Sequence, residues 1–320
     1  MFRILILSVT VGGLLLLLPL DKLRAQTKAM PAAFRSDSQM VLVPITVTDH
    51  SGKTVQGLRA QDFNVFEDQV PQHIVAFTSD DAPCSVGLVL DISGSMGSSL
   101  AAAKSVAQSF VKTANQEDEF LLLTVSSQPE AIPGFTTDTA ALQDNIASTT
   151  SGGMTALIDT LYLGLNRMRK ASQPRRALLV LSDGVDNYSR YSKGELMRVA
   201  FEADVQIYSI IVDNGAASAV SATVPFRPLL IRKGGDQSQQ AEGPRMLEEL
   251  SEKTGGLHFH VHTDAEANAA AIQAGQALRN EYVIGYHPPV SGSSGKWHRV
   301  RVKSTVPKLN VYARNGYYAR

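Results

Sequence analysis

One short stretch of the chain joins an apolar run to several oxygen-bearing side chains. In VGLVLDISGSMGSSL, residues 86–100, the run ends at Asp91, and Ser93 and Ser95 follow at alternate positions. Residues of these types serve three chemistries: a serine nucleophile, a phosphate-binding loop, and a site that holds a hard cation through oxygen atoms. The surrounding residues and the rest of the chain discriminate among the three.

The sequence disfavours the first two chemistries. A hydrolase elbow places Gly two residues before the nucleophile, where this chain has Ser93 before Ser95, and no His follows in a suitable context. No Lys follows Gly94 and Gly97, as a phosphate-binding loop would require. An aspartyl-phosphate route through Asp91 usually uses a second acid at the position of Ser93. We therefore expect a protein that is not an enzyme.

Two further oxygen groups favour the cation site. Thr155 lies in the glycine-rich stretch TTSGGMTALID, and Asp183 follows the apolar run RALLVLS. In an open parallel sheet, ligands bind at the carboxyl ends of the strands, where Asp91 and Asp183 are both predicted to lie. Oxygen-only groups of this kind suit Mg²⁺, with Mn²⁺ or Ca²⁺ as alternatives. The predicted metal ligands are Asp91, Ser93, Ser95, Thr155 and Asp183.

These five residues, in this order, resemble the metal-ion-dependent adhesion site of von Willebrand factor type A (VWA) domains. The resemblance rests on Asp91-x-Ser93-x-Ser95, on Thr155 in GGMTAL and on Asp183 in LSDGVDN, and it covers roughly residues 85–280. The flanking stretches DFNVFEDQVPQHIVAF and LRNEYVIGYHPP are similar to those of exported bacterial proteins of this family.

The resemblance implies a function as well as a fold. It implies that Asp91 and Asp183 act partly through water, and that an Asp or Glu carboxylate from a protein partner completes the shell of the cation. The expected function is cation-dependent protein binding of the adhesion type, without turnover. The alternatives are a cell-envelope assembly or scaffold protein with a structural metal and, less favoured, a metal-dependent hydrolase.

The pattern of the central part predicts an α/β domain over residues 83–280. The near-continuous apolar runs SVGLVL, RALLVL and VQIYSIIV are typical of strands covered on both faces, and helical patterns separate them. This alternation predicts a doubly wound, mostly parallel sheet. Helices are predicted over residues 100–114, 139–148, 156–170, 192–203, 245–253 and 264–280.

Alternating apolar residues on both sides of this domain predict strands. Residues 38–82 and 281–320 are expected to pair with one another in a small β domain. The polar, Gly-, Ala- and Ser-rich residues 214–244 are interpreted as a surface insertion that shapes the partner surface.

The N-terminus predicts export. Residues 1–25 have a short basic start, an apolar run and a small Ala25, which is typical of a signal peptide, and residues 26–37 form a flexible lead-in. We expect a periplasmic, secreted or cell-surface monomer with no membrane span after cleavage; an uncleaved membrane anchor is the alternative. Because basic and acidic residues both number 30, the charge balance disfavours nucleic acid as a partner.

Three other features have competing interpretations. The single cysteine, Cys84, is expected to pack as a small apolar side chain. His258, His260 and His262 share one face of a strand, but same-face neighbours lie about 6.6–6.8 Å apart, a wide span for one zinc ion. Residues 186 and 187 are interpreted as turn-formers rather than ligands.

Overall fold

The computed structural model describes residues 40–97, 99–212, 236–289 and 295–319, without the side chains of 236–241. The described strands are β1 Val41–Thr48, β2 Phe63–Glu67, β3 Val70–Gln72, β4 Ile74–Thr78, β5 Cys84–Asp91, β6 Glu119–Val125, β7 Glu130–Ala131, β8 Arg175–Ser182, β9 Gln206–Val212, β10 His258–Val261, β11 Tyr282–Tyr286, β12 Trp297–Ser304, β13 Asn310–Ala313 and β14 Gly316–Tyr318. The described helices are α1 Leu100–Val111, α2 Thr139–Ser148, α3 Leu157–Met168, α4 Lys193–Ala203, α5 Asp236–Thr254 and α6 Asp264–Arg279.

The centre of the fold is a six-stranded sheet in the order β10-β9-β8-β5-β6-β7, parallel except for the short β7. Every residue of β5 is buried, because helices cover both faces of the sheet. One apolar core lies beneath α1, α2 and α6, and a second beneath α3, α4 and α5. This is the predicted doubly wound α/β architecture. Cys84 is buried in the first core, as expected.

The strand order reverses beside β5, the first strand of this sheet. The chain passes from β5 to β6 on one side and later returns to β8 on the other side. In the parallel register, Leu90 lies opposite Leu181, so β5 and β8 end side by side. The carboxyl ends of two strands at such a switch point form a crevice where open α/β sheets bind ligands.

The flanking strands form two four-stranded sheets, β13-β1-β11-β4 and β14-β12-β2-β3. The N-terminal strand β1 pairs antiparallel with β11 and β13 from the C-terminal part, and β2 pairs with β12. Their apolar side chains share a third core that includes Ile45, Phe63 and Tyr282. The predicted pairing of the two flanks is confirmed; the domain boundaries stay predictions.

Most predicted helices differ from the observed ones only at their ends, but one prediction is wrong by nine residues. Helix α5 begins at Asp236 and includes Pro244, whereas the sequence predicts a start at Arg245. Pro is favoured at a helix start and disfavoured inside one, which misplaced the boundary. The preceding residues DQSQQAE are acceptable helix formers.

Several predictions fall outside the described residues. These are the signal peptide at 1–25, the lead-in at 26–37 and most of the 214–244 insertion. In the part of the chain that the structure describes, none of the helices combines the length and the apolar character that crossing a bilayer requires.

Candidate metal centre

Asp91 is the most buried carboxylate of the candidate site. It ends β5 and is fully shielded from solvent. The Ser93 amide donates to its Oδ1 at 3.0 Å, and the Ser182 hydroxyl donates to its Oδ2 at 2.5 Å. Burial raises the pKa of the Asp91 carboxyl to about 6; these hydrogen bonds oppose the rise and the nearby Asp183 carboxylate adds to it.

The loop after β5 brings Ser93 and Ser95 next to Asp91. Residues Gly94–Met96 form one turn of 3-10 helix, in which Met96 is buried and fixes the loop to the core. This tight turn places the hydroxyl oxygens of Ser93 and Ser95 3.1 Å apart. Ser93 is buried and Ser95 is exposed, so the loop extends from the buried carboxylate to the surface.

Hydrogen bonds join this loop to the glycine-rich loop that precedes α3. The Gly94 amide donates to the Gly153 carbonyl at 3.1 Å, and the Gly152 amide donates to the Ile92 carbonyl at 2.8 Å. The Ser151 hydroxyl donates to the Ser93 carbonyl at 3.0 Å. The two loops therefore form one unit.

The glycine-rich loop needs glycine at Gly153. Its φ of +83° is unfavourable for other residues, and a Cβ there would lie 2.8 Å from Ser127 Oγ. That hydroxyl in turn accepts a hydrogen bond from the Met154 amide at 2.8 Å. The close approach of these segments therefore depends on the missing side chain of Gly153.

The loop after β8 holds Thr155 from the other side. The Thr155 amide donates to Asn187 Oδ1 at 2.9 Å, and the amides of Asn187 and Tyr188 donate to the Thr155 carbonyl at 3.0 Å. Asp186 Oδ2 accepts from the Ile158 amide at 2.8 Å, in the first turn of α3. Thr155 itself is 2% exposed.

Residues 186 and 187 therefore do more than form a turn. Asp186 has the expected local bonds to Ser189, at 3.3 Å to the amide and 2.5 Å to the hydroxyl. Its contact with Ile158, and that of Asn187 with Thr155, also join the loop after β8 to the start of α3. Neither connection is visible in the spacing of LSDGVDN alone.

Asp183 lies directly after β8 and is partly exposed. Its Oδ1 accepts from the Val185 amide at 3.0 Å. The preceding Ser182 accepts from the Gly184 amide at 3.0 Å while it donates to Asp91. The sequence pattern does not single out Ser182; its place at the end of a strand, directly before an acid, is the available signal.

The histidines at positions 258–262 are the other candidate metal ligands of the sequence. The rings of His258 and His260 lie 6.2 Å apart, and His260 Nε2 lies 2.8 Å from Glu248 Oε1. Among the described residues, three His, Cys, Asp or Glu side chains come close enough together to hold one ion at a single place in the flanking strands. The histidines of this stretch are not part of that group.

Residues 86–185 match the family model described as the von Willebrand factor type A domain. The chain is also 28% identical over 196 residues to an uncharacterized protein of Borreliella burgdorferi; the alignment covers 57% of this chain and 55% of that protein. This chain therefore spans about half the length of that relative.

The solved structures to which this chain is similar include three bacterial proteins. A von Willebrand factor type A protein from Catenulispora acidiphila has a TM-score of 0.49 at 12% identity and covers 89% of this chain and 75% of its own. The vWF domain of the pilus tip protein Mfa5 from Porphyromonas gingivalis has a TM-score of 0.47 at 15% identity, and the alignment covers 62% of this chain and 95% of that one. An aerotolerance-related membrane protein from Bacteroides fragilis has a TM-score of 0.43 at 17% identity, and the alignment covers 61% of this chain and 98% of that one.

VWA domains often mediate adhesion or protein binding. The family match starts in β5 and ends at residue 185, so it includes both strands of the switch point, the loop after β5, the glycine-rich loop and Asp183. Over the matched residues 86–185, this chain therefore carries a von Willebrand factor type A domain.

Proposed function

We propose that this chain is a divalent-cation-dependent protein-binding module of an exported protein. Its cation, Mg²⁺ or alternatively Mn²⁺ or Ca²⁺, would be held by Asp91, Ser93, Ser95, Thr155 and Asp183. The observation that carries the proposal is the environment of Asp91: a fully buried carboxylate whose direct partners are hydroxyls and a backbone amide. Burial of an anion in such surroundings is costly unless a cation compensates it.

The donor set fits a hard divalent ion. All five side chains offer oxygen atoms, which Mg²⁺ prefers over nitrogen or sulfur. Three of them, Ser93, Ser95 and Thr155, carry no charge, so the protein supplies only two carboxylates. When bound, the cation would supply a positive centre that accepts a carboxylate oxygen from another protein.

The residues around the candidate site suit a protein partner. Met154 precedes Thr155 and is 47% exposed; Tyr188, whose amide bonds to Thr155, is 53% exposed. Tyr191 is 41% exposed and stacks on Tyr162 with 3.9 Å between ring centroids. Exposed apolar side chains beside a polar site are typical of protein-binding surfaces.

The experiment separates cation binding from partner binding. Mn²⁺ binding to the purified chain is followed by electron paramagnetic resonance in wild type, in Asp91→Asn and in Asp144→Asn. Asp144 is an exposed acid on α2 and serves as the matched control. We expect one Mn²⁺ site that Mg²⁺ displaces, at least ~10-fold weaker in Asp91→Asn and unchanged in the control.

Partner chemistry is tested by peptide display. Peptides selected on the immobilised chain in Mg²⁺ and eluted with EDTA are expected to contain Asp or Glu, and replacing that acid by its amide should abolish binding. Peptides that bind Asp91→Asn as well as wild type would contradict the proposal. Cation binding without any EDTA-dependent peptide would favour a structural metal instead.

A further inference from the structure

A second group of metal-ligating side chains lies in the flanking sheet β14-β12-β2-β3. Glu67 is the last residue of β2, Asp68 begins the β2–β3 turn, and His298 lies on the neighbouring strand β12. One ligand atom from each of the three lies within 4.8 Å of the other two. His298 Nδ1 is 2.9 Å from Asp68 Oδ2 and 3.3 Å from Glu67 Oε1.

The turn geometry explains how two consecutive acids reach one ring. Along a strand, successive side chains point to opposite faces, which would separate Glu67 from Asp68. Asp68 and Gln69 instead have left-handed backbones, with φ of 46° and 73°, as in a two-residue hairpin turn. The turn therefore brings the Asp68 side chain back towards His298, which Glu67 also contacts.

Further contacts hold each ligand in place. Glu67 Oε2 accepts hydrogen bonds from the hydroxyls of Tyr286 at 2.7 Å and Tyr317 at 3.0 Å. Asp68 Oδ1 accepts from the Arg299 amide at 2.9 Å. One oxygen of each carboxylate is thus oriented by the protein and the other faces His298. Such outer contacts are typical of metal-ligating carboxylates.

The imidazole is held in the same way. The His298 ring stacks on Tyr317 with centroids 5.6 Å apart and 23° between the planes. The His298 side chain is 11% exposed, and its Nε2 has no hydrogen-bond partner among the described residues. Its position is therefore set by ring stacking and by the contacts of Nδ1 with the two acids.

The charges of this group favour an added cation. Glu67 is 2% exposed, and in the described part of the chain the recorded ion-pair contacts of both acids are with His298. A neutral imidazole would leave two adjacent carboxylates, one of them buried, without direct compensation. The Asp68 side chain is 46% exposed, so an ion and a water ligand can reach the group from solvent.

We propose that Glu67 Oε1, Asp68 Oδ2 and His298 Nδ1 form a zinc site, with water as the fourth ligand. Two ligands of one Zn²⁺ at bond lengths of about 2.0–2.1 Å lie roughly 2.9–3.4 Å apart, which spans both separations from Nδ1. One imidazole nitrogen with two carboxylates suits Zn²⁺ better than Mg²⁺. The ion would link the β2–β3 hairpin to β12, independently of the candidate site at Asp91.

The test uses the purified full chain, stripped of metal with a chelator and dialysed into excess Mg²⁺. Zn²⁺ is then titrated against a chromogenic chelator. We expect one Zn²⁺ per chain in wild type, and at least ~10-fold weaker binding in Asp68→Asn and in Glu67→Gln. Both amides retain an oxygen that can accept the existing hydrogen bonds, and Asn tolerates the left-handed turn. Circular dichroism verifies that each variant is folded.

Two histidine variants serve as matched controls. His73→Ala removes an exposed histidine near β3, and His260→Ala removes one from the histidine stretch; both should bind Zn²⁺ like wild type. X-ray absorption of the zinc-loaded chain should give an oxygen and nitrogen shell with a single imidazole. No Zn²⁺ binding in Mg²⁺, equal binding in both acid variants, or loss in His260→Ala would overturn the proposal.

Discussion

At the scale of single residues, the Asp91 carboxylate can accept more interactions than its hydrogen-bond donors within the protein supply. Each carboxylate oxygen has two lone pairs. Oδ1 accepts from the Ser93 amide and Oδ2 from the Ser182 hydroxyl, and the Ser93 side chain also donates to the carboxylate. These donors fix the plane of the carboxylate and leave part of its acceptor capacity unused. The burial that makes this arrangement costly also makes it sensitive to the loss of one donor.

Ser182→Ala tests the importance of that orientation. We expect the free energy of unfolding to fall by about 1–3 kcal/mol, because the buried carboxylate and the Gly184 amide each lose a partner. Mn²⁺ affinity should fall roughly 10–100-fold, the range for residues that orient metal ligands. Denaturant unfolding and Mn²⁺ titration measure the two effects.

The control for this variant is Ser148→Ala, on the exposed end of α2, where the hydroxyl donates only to the Asn145 carbonyl at 2.9 Å. It should change stability by less than about 0.5 kcal/mol and leave Mn²⁺ affinity unchanged. An Ser182→Ala protein with wild-type Mn²⁺ affinity would show that Ser182 does not orient the candidate ligand.

At the scale of elements, the loop after β8 and helix α5 meet through two glycines. Gly184 has φ of +81°, and a Cβ there would lie 2.6 Å from the Pro244 nitrogen and 2.8 Å from the Gly243 carbonyl carbon. Gly243 is equally restricted by the backbone of Gly184. The N-terminal half of α5 therefore packs directly against the residue that follows Asp183.

Gly184→Ala should move this loop. The substitution adds left-handed backbone strain of about 1 kcal/mol and a contact with backbone atoms that cannot be relieved by a side-chain rotation. We expect a lower Tm and weaker Mn²⁺ binding, because Asp183 is adjacent to the displaced residue. Calorimetry and Mn²⁺ titration measure these effects.

Gly57→Ala serves as the control, because it adds the left-handed backbone strain without a steric clash of the new Cβ with neighbouring atoms. Gly57 has nearly the same φ, +80°, but a Cβ there would meet no atom within 4 Å. This control should lose only the strain contribution and keep wild-type Mn²⁺ affinity. Equal effects of the two substitutions on both measurements would rule out the packing of α5 as the cause.

The sequence predicts the elements better than the connections between them. The apolar runs of β5 and β8 identify buried strands, and the acids at their ends identify the crevice, because both signals are local. The hydrogen bonds from Thr155 to Asn187 and from Ser182 to Asp91 join residues 32 and 91 positions apart. Their partners are set by loop conformations that residue spacing does not encode.

The Glu67–Asp68–His298 group could not be predicted for the same reason. His298 lies 230 positions from Asp68, and the two meet only because β12 pairs with β2. The sequence does predict strands on both flanks, but the pairing register decides which histidine faces which acid. Here Val300 lies opposite Glu67, which brings His298 to the turn.

At the scale of the whole described unit, a buried charged group joins the α/β sheet to the flanking strands. Arg175, the first residue of β8, is 7% exposed and donates to the carbonyls of Asp80, Arg279 and Glu281. Glu281 directly precedes β11, is fully buried, and accepts from the Tyr208 hydroxyl at 3.2 Å. Burial raises the pKa of Glu281 to about 7, although the Arg175 charge opposes this rise.

This shift predicts how stability depends on pH. The pKa of Glu281 rises from 4.5 in the unfolded chain to about 7 in the folded chain, so the folded state binds more protons between these values. The contribution of Glu281 to stability is therefore greatest below pH 4.5 and falls as pH rises towards 7. Well above pH 7 the accumulated loss is constant, at most about 3–4 kcal/mol for a shift of this size.

Glu281→Gln isolates this effect, since the amide is neutral at every pH and its oxygen can still accept from Tyr208. We expect the variant to gain stability relative to wild type as pH rises from 4.5 to 7, with a constant difference above pH 7. Urea unfolding at intervals of half a pH unit, in saturating Mg²⁺, measures the difference while the other titrating groups remain common to both proteins. A difference that stays flat from pH 4.5 to 8 would mean that folding does not raise the pKa of Glu281, because Arg175 compensates its burial in full.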